Sequence, residues 1–240
     1  MNLIPQKIQI LKFIGEQGIV TVADVDRHLF QSEKSETVRI TMHQLGISHK
    51  PYPGIKYGIW YIEKPHLYEL LKTYFPDYPK FLVRPVFYDK VPHFLGLNCI
   101  RTAFECSPDC NVERWWSEQY IRSLFPEERY SFSDSKIPDA IFWKRKKDGN
   151  LQKYYLEFER SLKSKKRYIN IFRHYSKMPD ITKGGVIYVC LTEIIRNKLK
   201  KIVKEEFGRG VINHLEEVFQ FIDYQELITN VKEEEPCLMN

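Results

Sequence analysis

What this chain lacks narrows it first. No apolar run approaches the roughly 18 residues a membrane span requires, and the opening MNLIPQKIQIL lacks a basic leader, an unbroken apolar core and a cleavage site. Neither a span nor a secretory leader is expected. Cysteine is scarce: Cys99, Cys106, Cys110, Cys190 and Cys237 are odd in number and scattered, which fits a reducing compartment better than a disulfide framework. A cytoplasmic location follows as the expectation. Cys106 and Cys110 could offer zinc two thiolates, but no second Cys/His pair lies at finger spacing, and His93 alone does not complete a four-ligand site. Internal repeats and low-complexity tracts are missing too. The 240 residues, 43% hydrophobic and 28% charged, are enough for a main core and one smaller module.

Acidic residues are nearly missing from one long stretch. Between Trp143 and Lys177 there are twelve Lys/Arg and only three Asp/Glu, a local excess of nine against +6 for the whole chain. Charge concentrated in this way argues for a polyanionic partner, with nucleic acid the leading candidate. The three acids are Asp148, in a turn, and Glu157 and Glu159, in an apolar strand pattern. A solvated basic face has no need of two carboxylates at i and i+2, whereas a divalent metal poised against a phosphodiester does.

Along the chain, residues 1–64 predict three short helices and a hairpin. Ile8, Leu11 and Ile14 recur at near-helical spacing up to Gly18, and Thr21 caps a second helix carrying Val22, Val25 and Leu29. A third, from about Ser35, turns Val38, Met42 and Leu45 inward and ends at Gly46. Ile47 to Tyr52, a Pro53-Gly54 turn and Ile55 to Ile62 make a ribbon, so the order is that of a winged helix-turn-helix. Ser35, Thr37, Arg39, Thr41, His43 and Gln44 would then line the outer side of the third helix, with Lys50, Lys56 and Tyr57 in the wing. Arg39, Gln44 and Lys56 are the candidate DNA contacts here; three-helix modules of this kind also mediate protein contacts.

Residues 65–92 predict a helix from His66 to Phe75 and then a connector through Pro76, Pro79, Pro85 and Pro92. In 93–240 a helix from His93 to about Cys106 is expected first. Trp115, Trp116 and Glu118 are placed on a short helical segment, followed by a helix or turn to about Phe125. Strands come next near 137–144 and 152–159, a helix near 161–177, a buried strand from Gly185 to Leu191 and a helix near 192–206. Val218 to Tyr224 is a short strand, and Lys232 to Glu235 an acidic end. The class is an α/β core whose continuous apolar strand is parallel and covered on both faces.

In a strand, Glu157 and Glu159 project to one face while Leu156 and Phe158 take the other. A hairpin through Asp148-Gly149 brings Asp139, in Lys136-Ile137-Pro138-Asp139-Ala140, alongside Glu157. Three converging carboxylates repel unless a cation neutralises them, and hard oxygen ligands suit Mg²⁺ or Mn²⁺, with room for a second ion roughly 3.5–4 Å away. Lys163 or Lys165, beyond Arg160, could supply the cation near the transition state, Lys163 being nearer the strand end. Glu118 could add a further carboxylate or be a surface residue. Tyr154, Tyr155, Tyr168 and Tyr175 cluster near the acids, but water is the simpler nucleophile, and His174 suits a surface or phosphate contact better than a general base. The basic segment with Arg160, Lys166, Arg167 and Arg173 forms the expected phosphate track.

Pro138-Asp139 followed by Glu157-Phe158-Glu159 resembles the PD-(D/E)xK nuclease fold, a restriction-endonuclease-like core, with Glu159 standing where that motif carries lysine. A fuller set is similar to the MobC-type plasmid mobilization relaxases and the related replication-relaxation proteins. It comprises His93 and Asn98, Trp116-Ser117-Glu118, Pro138-Asp139-Ala140, Glu157 through Ser164, and Arg167-Tyr168 to Tyr175. The resemblance covers nearly the whole chain. It implies an N-terminal winged helix, a nuclease-like C-terminal domain, and metal-dependent nicking at a plasmid transfer origin with accessory and coupling proteins. Asp139, Glu157 and Glu159 would be the metal and catalytic acids, assisted by Lys163 or Lys165. Two other readings stay open: a non-catalytic DNA-binding replication or transcription regulator, and a restriction or transposase-type nuclease.

Overall fold

The computed structural model describes residues 3–30, 35–76, 87–107, 110–124, 137–178, 184–207 and 218–234. The chain divides into two units: 1–102 with 119–126, and 103–118 with 127–240.

In the first unit, α1 (Leu3–Gln17), α2 (Val22–Leu29) and α3 (Ser35–Gln44) precede a ribbon of β1 (Ser48–Tyr52) and β2 (Ile55–Tyr61). Thr21 begins α2 through a capping box: its hydroxyl accepts from the Asp24 N–H at 3.0 Å, and the Asp24 carboxylate accepts from the Thr21 N–H at 2.8 Å. Ile10, Leu11, Ile14, Val25, Met42 and Trp60 form the core, each worth roughly 1.5–3 kcal/mol of burial. Val20 exchanges two backbone hydrogen bonds with Trp60, so the segment after α1 adds to the edge of β2. Gly58 is required where the ribbon shifts register, since a Cβ there would stand 2.2 Å from the Lys50 carbonyl oxygen. α4 (Pro65–Tyr74) buries Leu67, Tyr68 and Leu71 in the same core.

The proline connector was expected to run to Pro92, but α5 (Val91–Cys106) begins ahead of it. Pro92 falls in the first helical turn, where no N–H is needed and its fixed φ suits the helix. Residues 77–86, with Pro79 and Pro85, lie outside the described residues, as do Lys136, Phe125, Glu235 and Cys237.

The second unit is mixed α/β, a five-stranded mixed sheet in the order β3-β4-β5-β6-β7 with helices against it. Its strands are β3 (Val112–Ser117), β4 (Ala140–Arg145), β5 (Leu151–Glu159), β6 (Gly185–Cys190) and β7 (Phe219–Asp223). The first three pair antiparallel and the last three parallel, as the intervening helices α7 (Lys165–Tyr175) and α8 (Glu193–Phe207) require. α6 (Glu118–Leu124) follows β3, and α9 (Tyr224–Glu234) follows β7.

Two sequence readings are corrected here. Trp115 and Trp116 were expected on a helical segment but lie in β3, where pairing with Phe142 and Ile141 of β4 outweighs any local preference. The expected acidic end falls partly within α9, which runs to Glu234. α7 also starts later than expected, at Lys165, because the Ser164 hydroxyl accepts from the Arg167 N–H and sets the boundary. The Asp148-Gly149 hairpin forms, with Gly149 at φ +82, the left-handed position that closes a short antiparallel connection.

Candidate active site

The parallel register sets Glu157 beside Tyr188 and Glu159 beside Cys190, so these four share one face of the sheet. α7 covers that face, with Tyr168, Ile171, Phe172 and Tyr175 turned inward and Phe172 edge-on to Tyr188. Phe158 points the other way and stacks on Tyr224 at 5.2 Å.

Three carboxylates are withdrawn from water at this strand end: Asp139 is 7% exposed, Glu157 0% and Glu159 3%. Each is held differently. The Asp139 carboxylate accepts from the Phe158 N–H at 2.7 Å, which carries the β4–β5 ladder one step past the strand. Tyr175 donates its hydroxyl to Glu157 at 2.5 Å. The Lys163 ammonium turns back onto Glu159 as a part-buried ion pair, and it also lies 5.7 Å from the Tyr168 ring. Glu118, the first residue of α6, donates its N–H to the Asp139 carbonyl at 2.9 Å, and its carboxylate has an oxygen within 4.8 Å of one on Asp139.

The buried phenols register this concentration of negative charge. Tyr188 is fully enclosed, and its acidity is suppressed first by burial and then by the fields of Glu159 and Asp139. Tyr175 is suppressed by burial, then by Tyr188 and Asp139. Burial likewise raises Tyr168, and it pushes the Cys190 thiol up to about 12, with Glu159 adding to the effect. Hydroxyl and thiol nucleophiles are thereby held protonated. Among the described residues the Tyr188 hydroxyl oxygen has no hydrogen-bond partner, a costly state for a buried polar atom.

Hard carboxylate oxygens fit a divalent cation of the magnesium or manganese class, with the Lys163 ammonium standing beside them as a charge and not as a ligand. Asp139 and Glu118 would hold it, with Glu157 and Glu159 enclosing the inner side.

Comparison with protein-family models, with curated proteins and with solved structures returned no match. The geometry therefore stands on its own residues.

The structure separates the two candidate lysines. Lys163 reaches Glu159, whereas Lys165 is engaged by Glu205 at 2.9 Å and Glu206 at 3.2 Å on α8. Arg160 is half-buried, and Lys166, Arg167 and Arg173 are exposed; none of the four forms an ion pair among the described residues. Basic residues in the first turn of α7 oppose the helix dipole, so this turn gains most from a nearby anion. In α7, His174 is half-buried, and its pKa is lowered by burial and by Lys177.

In the first unit, Arg39 makes a two-pronged pair with Glu36 at 2.9 and 2.5 Å, and Arg39 and Lys56 flank the Tyr57 ring at 5.8 and 5.0 Å. Gln44 accepts from Lys7 at 3.4 Å. Ile40 is 44% exposed on the outer side of α3, an apolar contact point among polar ones. Asn98 serves this unit's interior, donating to the Ile19 carbonyl at 2.9 Å and to Asp24 at 3.2 Å.

The sequence pattern pointed to the carboxylates but passed over Tyr188, which sits inside a run of apolar residues. Tyr168 and Tyr175 carried a usable signal: seven residues apart, they fall on the buried face of α7.

Proposed function

We propose that this chain is a divalent-metal-dependent DNA endonuclease of the nicking, relaxase type. In this reading a PD-(D/E)xK-like core cuts one strand at a plasmid transfer origin, and a winged helix positions it there. The observation that carries the reading is the return of Lys163 onto Glu159 at a buried strand end beside Asp139. That pair restores a lysine to a motif whose own lysine position is occupied by Glu159.

When bound, the ion withdraws charge from a non-bridging phosphate oxygen and acidifies an attacking water. Asp139 and Glu118 orient it. The Lys163 ammonium, held by Glu159, stands ready for the charge that develops on the phosphoryl group. Tyr175 fixes Glu157 through its hydrogen bond. Water is the simpler nucleophile, since a bound metal would activate it without a side chain, while burial keeps the Tyr168 and Tyr175 phenols protonated. Lys166, Arg167, Arg173 and Arg160 bear on the phosphate backbone, and α3 presents Arg39, Gln44 and Ile40 to the major groove, with Lys56 at the wing. Accessory and coupling proteins of a mobilization system are the proposed partners.

The test incubates the protein with supercoiled plasmid carrying a candidate origin in Mg²⁺ or Mn²⁺, beside Asp139→Ala. A single mapped nick that needs metal and disappears in Asp139→Ala is expected. Binding without cleavage in either metal would hand the assignment to a DNA-binding replication or transcription regulator. That second reading draws on the completeness with which Tyr175 and Lys163 already engage the acids. Double-strand cuts in linear DNA would instead indicate a restriction-type enzyme.

A further inference from the structure

The sheet face that carries the acids continues beyond α7 onto the antiparallel hairpin, and its character changes there. Registers Arg114↔Trp143, Trp143↔Lys153 and Arg145↔Leu151 place these side chains, with Trp116, on that same face. Trp116 and Trp143 are half-buried and meet edge to face at 4.6 Å. Arg114 lies 5.4 Å and Lys153 6.0 Å from the Trp143 ring, while Leu151 leaves half its surface in water. Glu113 on the edge strand is taken up by Arg145 at 2.6 Å, so its charge is answered locally.

We propose that this hairpin face is a platform for single-stranded DNA, an inference that rests on the strand-nicking reading for its substrate. Indole faces offer stacking to any base that has left its partner, and base–aromatic stacking tolerates all sequences. Cations beside the rings match the phosphates that a strand sets between its bases. A duplex, whose bases are already stacked, can use the cations but not the rings. The platform begins where β4 begins, at the residue following Asp139, so a strand laid on it leads towards the acids. The N-terminal unit is proposed to read duplex; this face would take the strand that is cut.

Tryptophan fluorescence reads this directly. Of the four tryptophans, Trp60 and Trp115 are buried at 1% and 6% exposure, so a ligand that touches indoles touches Trp116 and Trp143. The full chain, in EDTA so that no cleavage intervenes, is titrated with a short oligothymidylate and with a duplex of equal length. Saturable quenching by the single strand is expected, with weaker quenching by duplex. Trp143→Leu should remove most of it and weaken single-strand affinity roughly tenfold. Arg114→Glu, at an exposed edge position that does not endanger folding, should weaken binding and reduce the salt slope by roughly one phosphate's share. Equal quenching by duplex and single strand, or unchanged quenching in a folded Trp143→Leu protein, overturns the platform. A wild-type chain that nicks plasmid yet shows no single-strand quenching defeats the platform alone; quenching without any nicking defeats the nuclease reading alone.

Discussion

Asp24 and Asp139 are both aspartates about 7% exposed, one in each unit, and their surroundings differ in kind. Asp24 is the third residue of a helix; its carboxylate accepts from the Thr21 N–H and from Asn98, and Arg27 is the charge that bears on it. These contacts fix the start of α2 and tie it to Asn98. Asp139 also accepts a backbone N–H, but it shares its neighbourhood with Glu118, Glu157 and Glu159, and its field reaches two buried phenols. A buried acid answered by a capping box is explained by the fold. Acids gathered at one strand end cost the fold stability through mutual repulsion and desolvation, and each is held there by a different partner.

The largest effect that can break this contrast lies in the lysines. Lys163→Ala should reduce nicking by roughly a hundredfold or more, in line with the loss of one preorganised transition-state contact. Lys165→Ala should leave the rate within a few-fold, because Lys165 is spent on Glu205 and Glu206. Equal losses in both variants would erase the distinction drawn between them.

Second in size is Tyr175→Phe, which takes the hydroxyl from a fully buried Glu157. Chemical denaturation should show a loss of about 1–3 kcal/mol, and added Mn²⁺ should recover part of it if the acids hold an ion. A variant as stable as the wild type would make that hydrogen bond incidental.

Thr21→Ala, on the structural side of the comparison, should cost about 1 kcal/mol by thermal or urea unfolding and leave metal-dependent stabilisation untouched. A change in metal response would couple the two acids that the comparison separates.

The smallest effect is one of pH. Burial raises the Asp24 pKa above 3.8, so the folded state holds that proton more tightly than the unfolded one. Asp24 therefore contributes most in acid, and its contribution falls as pH rises from 3.8 through the folded value and is flat above it. The Tm difference between Asp24→Asn and wild type should move in the variant's favour across that window and then level off. A constant difference would show that Asp24 titrates normally.

Local spacing carried a good part of this. The cap at Thr21, the helical repeat of Ile8, Leu11 and Ile14, the hairpin at Gly149 and the shared face of Glu157 and Glu159 all depend on neighbours within a few residues, where a single sequence is most informative. β3 escaped because Val112 to Ser117 has no clean apolar alternation; it is a strand because Phe142 and Ile141 lie alongside it. Pro92 was taken for the end of a connector because proline marks both breaks and first turns. Tyr188 resembled its apolar neighbours in sequence and differs only through what surrounds its hydroxyl.

By itself the sequence determined the class of structure, the excess of basic charge around two strand carboxylates and the residue types on offer for chemistry, since these follow from periodicity and composition. Tertiary structure alone decided that Lys163 and not Lys165 meets Glu159, that Glu118 approaches Asp139, and that two tryptophans share a face with the acids. Those outcomes depend on how far each strand runs before its chain turns, and on which side chains the paired strands and the covering helix leave room for, and no local spacing encodes either.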